Sequence, residues 1–104
     1  MTLENISTVM PAVDVDVNGL TRHVAPVGNE LKFTFQDGLS LTVAIRNTES
    51  DGQVEDLMYV GTYAMRGEPM PGGHKFASVR HLTEGLGIVL SNLERQGSRL
   101  VGTA

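Results

Sequence analysis

The sequence lacks cysteine and tryptophan, and aromatic residues make up only 5% of its 104 positions. Without cysteine the chain has no disulfide, no zinc–thiolate site and no thiol nucleophile. The scarcity of aromatic side chains predicts a mainly aliphatic core, drawn from a hydrophobic share of 40%. Because disulfides are rare in the cytoplasm, the absence of cysteine suits a cytoplasmic protein, and we expect that location.

A basic stripe and a long apolar run are missing as well. The formal net charge is −4 at pH 7 and the pI is about 5.2, so we expect no direct binding of nucleic acid. The same acidity is compatible with a basic protein partner. No apolar run approaches the ~20 residues of a membrane-spanning helix. The N-terminal segment MTLENISTVMPAV contains Glu4 and no basic residue, so we expect neither a secretory signal nor a membrane location.

The chain is long enough for one domain with an ordinary hydrophobic core. No internal repeat or linker divides it, so we expect a single domain over 1–104. Residues 1–11 are expected to form a lead-in segment, which Pro11 ends. Residues 98–104 are expected to form a tail, in which 99–101 (RLV) can add a short edge strand.

The first regular pattern predicts a hairpin. Residues 12–17 (AVDVDV) alternate between apolar and polar side chains, as a strand does. Asn18-Gly19 is typical of a two-residue turn, and 20–25 are expected to form the return strand. This turn places apolar pairs on one face and polar pairs on the other. The expected pairs are Val17 with Leu20, Val15 with Arg22, Val13 with Val24, Asp16 with Thr21, and Asp14 with His23.

A second hairpin follows, and the alternation of its strands decides the length of its loop. Residues 30–36 (ELKFTFQ) and 39–46 (LSLTVAIR) predict two more strands. A two-residue turn would place apolar side chains opposite polar ones. A three-residue loop over 36–38, with Gly38 in the left-handed region and a bulge there, places the apolar side chains on one face. The expected pairs are Phe35 with Leu39, Phe33 with Leu41, and Leu31 with Val43.

The pattern after this hairpin is less regular. Residues 47–53 (NTESDGQ) are predicted to be a polar loop, and 55–65 (EDLMYVGTYAM) a fifth strand. Neither face of that strand is clearly polar, which indicates that both faces are covered. Residues 67–73 (GEPMPGG) are predicted to be a loop that leads into a helix. About five antiparallel strands followed by one long C-terminal helix on the sheet define an α+β fold.

A sustained helical period runs over 74–96 (HKFASVRHLTEGLGIVLSNLERQ). Its apolar side chains fall in one arc, which is broad enough for a helix lying on a sheet. That arc contains Phe76, Val79, Leu82, Leu86, Val89, Leu90 and Leu93. Gly97 is expected just past the end, at the C′ position. Gly85 and Gly87 each cost about 1 kcal/mol relative to alanine in a helix. They indicate a kink, two shorter helices, or a place where another body approaches closely.

One helix, about 10 Å across, cannot cover an apolar face of five strands, which spans roughly 24 Å. Either the sheet curls around the helix or a second chain covers the remainder. Ile88 projects away from the apolar arc, on the side of Gly85, which favours a second contact surface. We therefore expect a homo-oligomer, in the form of a two-fold dimer. The predicted interface residues are His81, Gly85, Ile88 and Asn92.

The expected start of the helix suggests a ligand site. Gly72-Gly73-His74-Lys75 would combine free backbone N–H groups with two basic side chains, and Arg80 follows within two turns. Cations at the positive end of a helix resemble a phosphate or carboxylate site. The spacing is not that of a P-loop, and an ordinary glycine-capped helix start explains the same residues.

Asp14, Asp16 and His23 are expected on one face of the first hairpin, where they could bind a metal or act as acid and base. Exposed hairpin faces usually carry such residues. The run D-x-D-x-N-G also begins like a calcium loop, but Ala25 stands where that loop requires a bidentate Glu. We therefore predict no metal site, no cofactor and no catalytic residue.

Two functional hypotheses remain. The first is a small non-enzymatic interaction protein, an inhibitor or accessory subunit that binds a macromolecular partner as a homodimer. The second is a binding protein for a small anionic ligand of the phosphate or nucleotide type, with its site at Gly72–Lys75 and Arg80. The sequence favours the first hypothesis, because one helix leaves apolar sheet area uncovered and because the aromatic and catalytic content is low.

Overall fold

The computed structural model describes residues 9–50 and 53–103, with only the backbone described for 47–50 and 53–57. Of the predicted lead-in over 1–11, residues 1–8 lie outside the described residues. The described elements, in chain order, are β1 (Val13–Val17), β2 (Leu20–Val24), β3 (Glu30–Phe35), β4 (Leu39–Ser50), β5 (Gln53–Met65), β6 (Glu68–Phe76), α1 (Val79–Arg95) and β7 (Leu100–Thr103). Strands β3 to β7 form a five-stranded antiparallel sheet in the order β6-β5-β4-β3-β7, and β1 and β2 form a separate two-stranded sheet.

The predicted α+β class is confirmed, because antiparallel strands are followed by a helix that packs on the sheet. Helix α1 crosses the sheet diagonally. It starts just after β6, at one edge, and it ends near the β3–β4 turn on the far side. There the Ser98 hydroxyl donates to Asp37 Oδ2 (2.9 Å), and the Gln36 N–H donates to the Arg99 carbonyl (2.8 Å). The predicted edge strand of the tail is present as β7, which pairs with β3.

The first hairpin has the predicted turn and register. Val17 pairs with Leu20 across the turn, and Asp14 pairs with His23. Asn18 and Gly19 adopt φ angles of 51° and 90°, as a two-residue type I′ turn requires.

The second hairpin also has the predicted register. Phe33 lies opposite Leu41, and Leu31 lies opposite Val43. Gly38 has a φ of 93°, and its N–H donates to the Phe35 carbonyl (3.1 Å). This is the three-residue loop with glycine in the left-handed region.

The predicted polar loop over 47–53 is wrong. The β4–β5 ladder includes 47–50 and 53 and extends to the pair Ser50–Gln53, and residues 51–52 lie outside the described residues. Polar composition does not prevent pairing, because the ladder is made by backbone groups. Beyond the last pairs with β3 and β6, at Ala44 and Tyr59, the hairpin continues as a two-stranded arm.

The predicted loop over 67–73 is also wrong, because most of these residues belong to β6. Arg66 and Gly67, with φ angles of 52° and 85°, form a two-residue turn that returns the chain along β5. Pro69 and Pro71 are tolerated because β6 is an edge strand, whose outer side needs no hydrogen-bond donors. The proline and glycine content of 67–73 is typical of a loop, but here it belongs to an edge strand.

Helix α1 therefore begins later than the predicted residue 74. Its N-cap is Ser78, whose Oγ accepts a hydrogen bond from the His81 N–H (3.0 Å). Phe76 explains the error, because it fits both the helical arc and the alternation of a strand. It lies at the end of β6 with 4% of its surface exposed.

The helix is continuous through Gly85 and Gly87, so the alternative of two shorter helices is wrong. It ends at Arg95, and Gly97 takes the predicted C′ position with a φ of 102°. The Ser98 N–H donates to the Leu93 carbonyl (2.9 Å), the long bond of a Schellman motif.

The hydrophobic core lies between the sheet and a second layer made of α1 and the β1–β2 hairpin. Its fully buried members come from both layers: Met10, Val15, Val24, Leu31, Phe33, Leu41, Val43, Leu82, Leu86 and Leu90. Because the first hairpin lies beside the helix, it supplies the cover that one helix cannot. The inner face of β3 and β4 is therefore covered without a curled sheet and without a second chain.

Candidate functional site

A groove runs along the outer surface of the second layer, between α1 and β1. Asp14 and Asp16 of β1 line one side of it, and the helix lines the other with Thr83, Glu84, Gly87, Ile88, Ser91 and Arg95. Its volume is about 610 Å³, which is within the range of ordinary ligand pockets. The groove is open to solvent along its length.

Gly87 brings the two walls of the groove together. A Cβ at this position would lie 2.9 Å from the carbonyl oxygen of Asp16, so only glycine lets the helix approach the strand so closely. The hairpin turn is tied to the same helix face, because the Asn18 N–H donates to Ser91 Oγ (3.0 Å) and Asn18 Nδ2 donates to the Ser91 carbonyl (3.4 Å). The backbone contact at Gly87 and the Asn18–Ser91 hydrogen bonds therefore set the width of the groove.

Charged side chains surround the groove. Asp14 Oδ1 lies 2.7 Å from His23 Nδ1, and the two side chains are 66% and 68% exposed. Glu84 Oε2 lies 3.3 Å from Nε of Arg80, one helical turn away. Exposed pairs of this kind are screened by water and contribute little to stability. They set the local charge of the groove without closing it.

The register places Asp14, Asp16 and His23 on one exposed face of the hairpin, as predicted. Asp14 contacts His23, and both aspartates line the groove. Among the described residues, no group of three or more His, Cys, Asp or Glu side chains is placed to hold a metal ion.

Ile88 is the exposed apolar residue of the groove. It keeps 64% of its surface accessible, although it lies on a helix whose other large apolar side chains pack mostly inward. The helical pattern predicted that it would point away from the core, and the structure places it there.

Within the chain, the close neighbour of Gly85 is an aromatic ring, because a Cβ at this position would clash with Cε1 of Phe76. His81 and Asn92 are exposed, and both contact their own chain: His81 Nδ1 accepts from the Ala77 N–H (3.1 Å), and Asn92 Oδ1 accepts from Arg95. Of the predicted interface residues, Ile88 alone lines the groove.

The predicted anion site does not have the geometry that suggested it. Gly72, Gly73, His74 and Lys75 lie on β6 and not in the first turn of α1, so the helix dipole does not act on them. Gly73 is instead a close contact between strands, since a Cβ would lie 2.7 Å from the Gly61 carbonyl oxygen. Arg80 is on the helix, but it pairs with Glu84.

A tyrosine–histidine pair lies on the other flank of the helix. Tyr63 Oη and His74 Nε2 are 2.7 Å apart, and both side chains are half-buried. Burial raises the pKa of Tyr63 above its ordinary value. The ring of His74 stacks on Phe76, which meets His81 edge to face. The sequence did not predict this pair, because His74 was expected on the helix.

No protein-family model matches the chain, and neither a curated protein nor a solved structure is significantly similar to it. No helix in the part of the chain that the structure describes is long and apolar enough to cross a membrane. The surfaces are therefore interpreted from their own geometry.

Proposed function

We propose that the protein is an interaction module, an inhibitor or accessory subunit that binds a macromolecular partner and acts as a homodimer. The observation that carries the partner-binding part is Ile88, which is 64% exposed in a groove of fixed width. Burying such a side chain completely contributes about 1.5–3 kcal/mol to association. A cytoplasmic location belongs to the same proposal and rests on the absence of cysteine.

The charge around Ile88 defines the kind of partner. Asp14, Asp16 and Glu84 line the groove together with one cation, Arg95. The chain as a whole carries a formal charge of −4. A partner that inserts an apolar side chain flanked by lysine or arginine would complement both features.

The alternative function, binding of a small anionic ligand at the helix start, loses its support. It required Gly72–Lys75 in the first turn of α1, and these residues lie on β6. The first turn that exists contains Val79, Arg80 and His81, and the Ser78 cap already occupies the His81 N–H.

The test is capture of partners on the full-length chain, with the captured proteins identified by mass spectrometry. Ile88→Glu is the test variant. Val27→Glu is its matched control, because Val27 is 66% exposed in the loop between β2 and β3, away from the groove. The expected result is a partner retained by the parent and the control and lost by Ile88→Glu.

The captured partner is then purified and its affinity for each variant measured. We expect a loss of at least about tenfold for Ile88→Glu, the equivalent of roughly 1.4 kcal/mol. Equal affinity for the two variants would show that the partner binds elsewhere on the molecule.

A further inference from the structure

The side chains of the five-stranded sheet that point away from α1 form a second surface, the outer sheet face. The strand registers place them in rows across the sheet. The central rows are Glu30–Ala44–Val60–Lys75, Lys32–Thr42–Thr62–Gly73 and Thr34–Ser40–Ala64–Pro69.

No element of the described chain lies over this face. The helix and the β1–β2 hairpin both pack on the inner face, and the buried apolar side chains of the sheet point inward, with the exception of Ala44. The outer sheet face is therefore the one broad side of the described fold that the chain does not cover.

The sequence of β5 is that of a strand covered on both sides. Of its outward residues, Met58, Val60 and Ala64 are apolar and Thr62 is polar, and its inward residues Tyr59 and Tyr63 are largely apolar. Antiparallel strands with one face in water normally alternate between apolar and polar residues. Within residues 9–50 and 53–103 the chain covers only the inner side of β5, which leaves the outward apolar side chains available to another molecule.

The centre of the outer sheet face is flat and carries no charge. Threonine, serine and alanine occupy most of the central positions on β4 and β5, and charged residues stand at the margins. Glu30 and Lys32 lie on β3. Lys75 lies on β6, which is separated from β3 by β4 and β5. All three side chains are exposed.

This distribution is complementary to itself. A two-fold axis can run parallel to the strands, between β4 and β5. It places β3 of one copy over β6 of the other, and each row of one sheet then faces the same row of the partner's sheet. Glu30 then meets the partner's Lys75, and Lys75 meets the partner's Glu30. An axis perpendicular to the strands and through the central row would instead bring Lys32 opposite the partner's Lys32. The charges therefore favour the parallel axis over a perpendicular axis at the centre of the face.

We propose that the protein dimerises through the outer sheet face, with the two sheets packed back to back, their strands aligned, and Glu30 beside the partner's Lys75. Aligned sheets pack about 10 Å apart, and the small central side chains allow that spacing. The inference names the surface for the homodimer in the proposed function and rests on that part of it. It does not involve the groove.

The first test is the mass of the full chain in solution, by sedimentation equilibrium over a range of concentrations. The expected mass is twice the 11.2 kDa of the chain. Thr62→Arg, in the centre of the outer sheet face, should raise the dissociation constant by at least about tenfold, because it buries an unpaired charge. Thr21→Arg, the same change at an exposed position on β2, should leave the mass unchanged.

Exchange of the paired charges tests the axis. Glu30→Lys and Lys75→Glu each place like charges together, so each should weaken the dimer, by on the order of tenfold. The double variant restores opposite charges and should recover the parental dissociation constant. Both residues are exposed, so the fold should tolerate the changes.

A monomeric parent chain would overturn the inference, and so would a dimer that is unaffected by Thr62→Arg and by the charge exchange. These failures are distinct from failure of the groove proposal. A monomer that still loses its partner through Ile88→Glu contradicts the dimer alone, and a dimer whose partner tolerates Ile88→Glu contradicts the groove alone.

Discussion

The two flanks of helix α1 use the same residue type against different neighbours. On the β1 flank, Gly87 lies against the backbone of Asp16, and on the β6 flank, Gly85 lies against the ring of Phe76. Both glycines carry the same intrinsic cost in a helix, about 1 kcal/mol relative to alanine. The comparison shows that a glycine inside a helix indicates a close contact at that position, but it does not identify the contacting group. A backbone contact fixes a distance, whereas a side-chain contact can adapt.

The largest effect is expected at the backbone contact. Gly87→Ala places a Cβ 2.9 Å from the Asp16 carbonyl oxygen, which cannot rotate away. We expect the free energy of unfolding to fall by up to about 2 kcal/mol, since overpacking costs 1–3 kcal/mol and the gain in helix propensity offsets only about 1 kcal/mol of it. Denaturant titration measures it. If Gly87→Ala stabilises the protein, the helix and β1 are not in close contact.

Gly85→Ala should have a smaller effect of the same sign. The clash with Phe76 is close, but tilting of the ring relieves part of it, so we expect a loss of about 1 kcal/mol. In a Phe76→Leu background the same substitution should become neutral or stabilising, because the ring is gone and the gain in helix propensity remains. An unchanged loss in that background would mean that Gly85 contacts something other than Phe76.

The flanks also differ in how far their polar groups are buried, which alkaline pH reveals. The pKa of Tyr63 is raised in the folded protein, so the unfolded chain loses this proton first as pH rises. Stability should therefore be unaffected below about pH 10 and should fall above it. Tyr63→Phe should show a shallower fall, which a series of thermal melts from pH 8 to 11 measures. Identical pH profiles for the parent and Tyr63→Phe would mean that Tyr63 is exposed to water in the folded protein.

The smallest effect is expected on the exposed side. Asp14→Asn removes the ion pair with His23, whose side chain is 68% exposed. The expected change in the free energy of unfolding is below about 0.5 kcal/mol, and salt should reduce it further. A loss above 1 kcal/mol would mean that the pair is part of the structural support of the hairpin.

Strand alternation predicted the parts of the fold in which one face is buried. The registers of both early hairpins followed from placing Val15, Phe33 and Leu41 on inner faces, because a slip of one residue would expose them. The same reasoning placed Asp14 beside His23. Where both faces of a strand are polar, as over 47–53, alternation carries no signal.

The candidate sites depended on information that is not local. The groove requires α1 to lie beside β1, and local sequence patterns do not show which elements pack against each other. Tyr63 and His74 meet only because Arg66 and Gly67 form a tight turn, and arginine at positive φ is uncommon. Gly87 was the available signal, since an unexplained helical glycine marks a close approach.

The hydrogen bond between Asn18 and Ser91 joins residues 73 positions apart, which has a consequence for synthesis of the chain. The β1–β2 hairpin is synthesised before the helix that lies against it at Asp16 and Asn18. At about 5–20 residues per second, the hairpin waits roughly 4–15 s for that helix. During this interval its valines can pack on the strands that are already made, but the side of β1 that later contacts α1 lacks its helix, so a nascent chain that stalls before α1 would present that side to chaperones.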